Sequence, residues 1–138
     1  MVDQKLYSAR IGKQLSVFLE NRPGTLSSVI DRLREQGINM VALSLSEGLE
    51  VGYLRIIVDD HKKAVRVLRD KGQLVIERDV VLLEVANAPG GMASAIDAWA
   101  KAGINIEYAY SATGPGSDVS LIVARLNDTD AALRALLP

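Results

Sequence analysis

Two short turns hold the residues of this sequence whose types and spacing suit chemistry: Asn21-Arg22-Pro23-Gly24 and, at a constant offset of 66, Asn87-Ala88-Pro89-Gly90. Proline fixes φ and removes a backbone donor, while glycine permits φ > 0 and puts no Cβ in the way. Each turn follows an apolar run and precedes a helical pattern. A turn so placed leaves N–H groups at the positive end of a helix dipole, where a small carboxylate can dock. The competing reading is a tight strand-to-helix connection with no ligand.

The same offset carries past the turns. It aligns Ser28 with Ser94, Ile30 with Ile96, Asp31 with Asp97 and Gly37-Ile38-Asn39 with Gly103-Ile104-Asn105. The chain is therefore a tandem duplication.

Other chemistries find little support. The chain has no cysteine, which removes thiol catalysis, disulfides and Cys-based metal sites, including the Cys-x-x-Cys loop of copper carriers. Its single histidine, His61, sits among Asp59, Asp60, Lys62 and Lys63 with no nucleophile in register, so it reads as a solvated surface residue. A formal net charge of −1 gives no electrostatic footprint for nucleic acid or an anionic membrane. One Phe and four Tyr are too few for the stacking surface that the same element order uses on RNA. The segment Ala112-Thr113-Gly114-Pro115-Gly116-Ser117-Asp118 lacks the Lys and following helix of a phosphate loop and reads as a hairpin connection. Neither an enzyme nor a cofactor is expected. With no apolar leader at residues 1–10 and no run approaching 18 apolar residues, the expected location is the cytoplasm.

The elements that must position the turns follow from periodicity. Leu15, Val17 and Leu19 alternate as in a half-buried strand. After the turn, Leu26, Val29, Ile30 and Leu33 mark one face of a helix that Gly37 stops. Two strands follow, from Ile38 and over 51–58, with a break at Ser46-Glu47-Gly48. Asp59-Asp60 then cap a helix with Ala64, Val65 and Leu68 inward, and Leu74-Val75-Ile76 closes the unit as a strand. The second copy predicts strand 80–86, helix 91–102, strands 104–112 and 119–126, and helix 128–137, with Met92, Ile96 and Trp99 in the core. Asp31 and Asp97 fall on the outer helix faces.

The fold class is α+β: two ferredoxin-like βαββαβ units, each an antiparallel sheet with both helices on one face. The boundaries read as an N-terminal extension at 1–12, a first unit at 13–78 and a second at 79–138. The second unit ends after its last helix, so its fourth strand is missing or supplied by another segment, and Leu6 to Ile11 have the pattern of a short strand. The runs Val80-Val81-Leu82-Leu83 and Leu121-Ile122-Val123-Ala124 are apolar at successive positions, which predicts cover on both faces and a homodimer or compact pair.

With Glu20-Asn21-Arg22-Pro23-Gly24-Thr25-Leu26 after the first strand and Gly37-Ile38-Asn39 after the first helix, this sequence resembles the ACT domain family over nearly its whole length. It looks like the free-standing tandem members, which carry no catalytic domain. The resemblance implies a regulatory protein that binds an amino acid, hydrophobic or aromatic, at interfaces between ACT units and signals to a regulated enzyme. It also implies ligand contacts at Asn21, Arg22, Pro23, Gly24, Thr25 and Leu26 with Asn39 and Met40, and at Asn87, Ala88, Pro89, Gly90, Gly91 and Met92 with Asn105 and Ile106. Ala88 and Gly91 replace Arg22 and Thr25, so the two sites need not be equivalent.

Asn21 and Asn39 flank a helix of about 12 residues, some 18 Å long, which one small amino acid cannot span. If both contact ligand, each site combines the turn of one unit with the strand start of another, pairing Asn21 with Asn105 and Asn87 with Asn39, within or between chains. The alternative function is a structural dimerisation module without a ligand.

Overall fold

The computed structural model describes residues 5–46 and 51–137. The break expected at Ser46-Glu47-Gly48 falls, beyond Ser46, outside the described residues. In chain order the elements are β1 (Leu6–Glu20), α1 (Thr25–Glu35), β2 (Met40–Ser46), β3 (Val51–Val58), α2 (His61–Asp70), β4 (Val75–Ala86), α3 (Ala93–Lys101), β5 (Ile106–Ala112), β6 (Val119–Leu126) and α4 (Thr129–Ala135). The chain divides into two compact units, Lys13–Arg78 and Met1–Gly12 with Asp79–Pro138. The strands expected at 6–11 and 15–20 are one element, as are those at 74–76 and 80–86. Gly12 and Gln14 interrupt the apolar pattern without interrupting the strand. A side chain on Gly12 would meet that of Leu82, and Gln14 is fully buried.

In the unit Lys13–Arg78 the strand order is β2-β3-β1-β4. Antiparallel pairing sets Leu15 opposite Ile56 and Val17 opposite Leu54. These alternate residues share one face, and Val29 and Leu33 of α1 pack there with Ala64, Val65 and Leu68 of α2, so both helices cover the same side. Leu26 is partly buried against this cluster. The N–H groups of Gly37 and Ile38 close α1 on Arg34 and Leu33, with Gly37 at φ 69°. Asp60 caps α2 by accepting from the Lys63 N–H at 3.1 Å.

The other unit repeats the plan with strand order β1-β4-β6-β5. The place that β4 takes in the first sheet is held here by the N-terminal residues of β1. The Ala86 N–H donates to the Lys5 carbonyl at 2.7 Å, and Leu6 and Ala9 pack against Val81, Leu83 and Val85. Trp99 is buried and its Nε1–H donates to the Ala132 carbonyl at 2.9 Å, tying α3 to α4. Asp128 caps α4 through the Ala131 N–H.

One expectation needs correction. Met92 and Ile96 are 40% and 38% exposed, and the core face of α3 is Ala95 with Trp99. These two stand where the first copy has Val29 and Leu33: the large indole fills the space beside the small alanine, and Met92 and Ile96 stay at its margin. The run Val80-Val81-Leu82-Leu83 is buried within the single chain, as are Ile122, Val123 and Ala124. That is the cover expected for these strands.

Candidate functional site

The first turn is held by its own backbone. The Arg22 N–H donates to the Glu20 carbonyl at 2.9 Å, and the Thr25 hydroxyl lies within donating distance of the carbonyls of Glu20 (2.9 Å) and Arg22 (3.2 Å). Gly24 takes φ 90° as the residue before α1, a conformation that suits glycine. From there the Ser28 N–H bonds the Gly24 carbonyl, and no side chain caps the preceding N–H groups of the first helical turn. Those donors point out of the helix beside the exposed Asn21, whose amide has no hydrogen-bond partner among the described residues. Arg22 pairs with Glu20 at 2.7 Å, both side chains being largely exposed.

Next to these groups, on the β2 side of the turn, lies a cavity of about 400 Å³. Leu19, Leu26, Leu45 and Gly52 contribute apolar lining, and Glu20, Asn21, Arg22, Thr25 and Ser46 polar lining. Hydrogen-bonding groups and aliphatic surface thus line one cavity.

The second turn is built differently. The Asn87 amide donates to the Ser117 carbonyl at 2.8 Å, so its side chain ties the turn to the β5–β6 hairpin. The Lys5 ammonium donates to the Pro89 carbonyl at 2.7 Å and lies against Gly90. Gly91 is buried, its N–H bonds the Ala88 carbonyl at 3.0 Å, and α3 begins only at Ala93, two positions later than α1 by the repeat. Pro89 and Gly90 remain exposed.

The residues after the first helix of each copy are pinned through their main chain. The Asn39 N–H donates to Asp59 Oδ1 at 3.1 Å while its carbonyl accepts from the Asp59 N–H at 3.1 Å. Asn105 makes the same reciprocal pair with Asn127 at 3.1 and 3.2 Å. Both asparagine side chains are exposed, and the partly buried Met40 and Ile106 each pack against their own unit's core. A β-bulge follows each, at Met40/Ala42 and Ile106/Tyr108. Within the first unit, then, Asn21 to Leu26 form one cluster at the N-terminal end of α1, while Asn39 and Met40 belong to the opposite end.

Comparison with known proteins decides the family. The sequence profile described as an ACT domain pair matches residues 11–137. The chain belongs to the ACT domain pair family. Protein BT0572 from Bacteroides thetaiotaomicron is 37% identical, with 93% of this chain covering 88% of that one at a TM-score of 0.86. The ligand-free regulatory subunit of aspartate kinase from Thermus thermophilus is 23% identical over 96% of this chain and 97% of that one, TM-score 0.66. Its counterpart from Thermus flavus is 22% identical over the same shares, TM-score 0.61. At those identities the aspartate kinase subunits share the fold. No curated protein matches the sequence. No helix among the described residues is long and apolar enough to cross a membrane.

Three contributors escape a reading of motifs. Leu45 and Ser46 reach the first turn only through the β2–β3 pairing, and Lys5 reaches the second from outside the repeat. Asp59 looks like a helix cap in sequence, yet its carboxylate accepts from Asn39, and its equivalent Asn127 was the one available signal.

Proposed function

We propose that this ACT pair is a non-enzymatic amino-acid sensor whose ligand binds at the first turn, with Asn21, Arg22, Gly24, Thr25 and Leu26 as contacts and Leu45 against its side chain. The observation that carries this reading is the open state of that turn: an unpartnered Asn21 amide and uncapped N–H groups stand beside a partly apolar cavity. An aliphatic or aromatic amino acid suits those walls. The ligand's α-carboxylate takes the helix N–H groups and its ammonium the Asn21 carbonyl oxygen.

The cavity is open on one side, so a second ACT unit completes the site by presenting the start of a strand equivalent to β2 or β5, with Asn39 or Asn105. A second copy of the chain is the natural source. β2 is the edge of its sheet and exposes Val41, Leu43 and Leu45. Ligand binding across that junction would change how copies associate, which is the signal passed to a regulated enzyme in the cytoplasm. The second turn is the structural member of the pair, because Asn87 and the Pro89 carbonyl are already engaged.

Calorimetric titration against the twenty amino acids tests the reading. Saturable heat with one of them, lost in Asn21→Ala, is the expected result; heat from none would leave the dimerisation module as the function.

A further inference from the structure

The first turn has another side, facing the connection between α2 and β4 at Gly72 to Leu74. There a cavity of about 560 Å³ is lined by Arg22, Arg32, Ser28 and Gln73 with Phe18 and Leu74. It shares the turn with the amino-acid site but neither Leu26, Leu45 nor Gly52, and Arg32 lines only this side.

Arg32 is the unusual residue. Its Nη1 is shielded from solvent and has no hydrogen-bond partner among the described residues. Arg125 also has a nitrogen without a hydrogen bond, but that nitrogen stands 3.9 Å from the Glu107 carboxylate, and its Nη1 donates to the Asp79 carbonyl. Among the described residues Arg32 has neither counter-ion nor acceptor. Leaving a charged donor so placed is unfavourable, and an occupant that accepts from it removes the penalty.

Two neighbouring acids are engaged elsewhere. Glu20, the one carboxylate lining this cavity, is held by Arg22 at 2.7 Å, and Asp31 bonds Arg34 at 3.4 Å. Ser28 and Arg32 are one turn apart on one helix face, and helical side chains lean towards the N-terminus. The guanidinium and the hydroxyl therefore converge below the Gly24 turn, where Gly72, Gln73 and Leu74 also line the cavity. The repeat supplies a contrast, since Ala98 stands where Arg32 would recur and Ala88 where Arg22 would.

We propose that this cavity is a second site, distinct from the amino-acid site, that takes the oxyanion group of a small molecule, with Arg32 as its principal ligand and Ser28 and Gln73 as hydrogen-bonding partners. A planar guanidinium matches either a carboxylate or a phosphate through paired N–H groups.

The full chain is titrated calorimetrically at low ionic strength with succinate, with inorganic phosphate and with sodium chloride as the screening control. Saturable binding of succinate or phosphate is expected, and which of them binds identifies the oxyanion. Arg32→Gln should weaken it at least about tenfold, equivalent to ~1.4 kcal/mol. Arg32→Lys should fall between, because an ammonium lacks the fork. Ser28→Ala should give a smaller loss and, with Arg32→Lys, decides the matter should Arg32→Gln fail to fold. Asn21→Ala should leave anion binding unchanged. The proposal is overturned by no saturable heat from either anion, by a response that sodium chloride reproduces, or by equal affinity in the folded Arg32 variants. Anion binding failing while an amino acid still binds would sink this site alone.

Discussion

A methyl group on Gly91 would overlap the carbonyl oxygen of Ala86. The equivalent pair in the first copy, Thr25 and Glu20, meets instead through a hydroxyl donating to the carbonyl at 2.9 Å. One repeat position thus holds two incompatible solutions. Gly91→Thr, which writes the first copy into the second, should force the backbone apart and destabilise by about 1–3 kcal/mol, as overpacking does. Thr25→Gly loses only the hydroxyl's hydrogen bonding, about 1 kcal/mol, and roughly a few tenths of a kcal/mol of helix preference. Thermal melts should rank Gly91→Thr as the more damaging; the reverse order would mean that the second turn can adopt the first turn's form.

The Asp59 carboxylate and the Asn127 amide do the same work in the two copies, each accepting from the main-chain N–H of Asn39 or Asn105. Only an oxygen at that place is needed. Asp59→Asn should therefore melt close to the parent, while Asp59→Ala should lose about 1 kcal/mol, the worth of a side-chain acceptor on an otherwise unpaired N–H. Equal melting points for the two variants would show that this bond contributes nothing.

Much of this architecture was readable because the duplication supplies each pattern twice. The alternation of Leu15, Val17 and Leu19, the inward Ala64, Val65 and Leu68, and Gly37 after α1 all occupy the predicted places. The turns were legible as turns, since Pro-Gly ahead of a helix has few other uses. Their difference was only half legible. Ala88 and Gly91 announce a changed loop, but neither residue type reveals that Lys5 arrives from 84 positions away to bond Pro89. Long-range placement of that kind leaves no periodic trace. Nor does the exposure of Met92 and Ile96, which depends on how much room Trp99 takes rather than on helical spacing.

Lys5 to Gly12 belong to the same compact unit as residues 79–137, with Leu6 and Ala9 against its core. Deleting residues 1–11 should strip that strand from β4, bare its backbone groups and expose Val81, Leu83 and Val85 at the edge. Aggregation, or a melting transition broadened and lowered by several degrees, is the expected outcome in light scattering and calorimetry. A truncated chain that stays soluble with the parent's melting point would show that these residues add nothing to the unit.

Asn21 and Asn87 are identical by repeat and opposite in engagement: one amide has no partner among the described residues, and the other donates to Ser117 at 2.8 Å. Truncating each should move a different quantity. Asn21→Ala removes no internal bond, so the melting point of the unliganded protein should hold, while the affinity for the amino acid should fall by about 1–3 kcal/mol if a charged hydrogen bond is lost. Asn87→Ala leaves the Ser117 carbonyl without its donor and should lower the melting point by about 1 kcal/mol of stability, with ligand affinity little changed. Where a second ACT unit completes the site, Asn105→Ala should weaken the same binding event as Asn21→Ala, and the double variant should lose less than the sum. Melting and calorimetry on the four proteins separate these roles. Equal loss of affinity from Asn21→Ala and Asn87→Ala would mean that both turns bind ligand, and additive losses at Asn21 and Asn105 would mean that they do not share one.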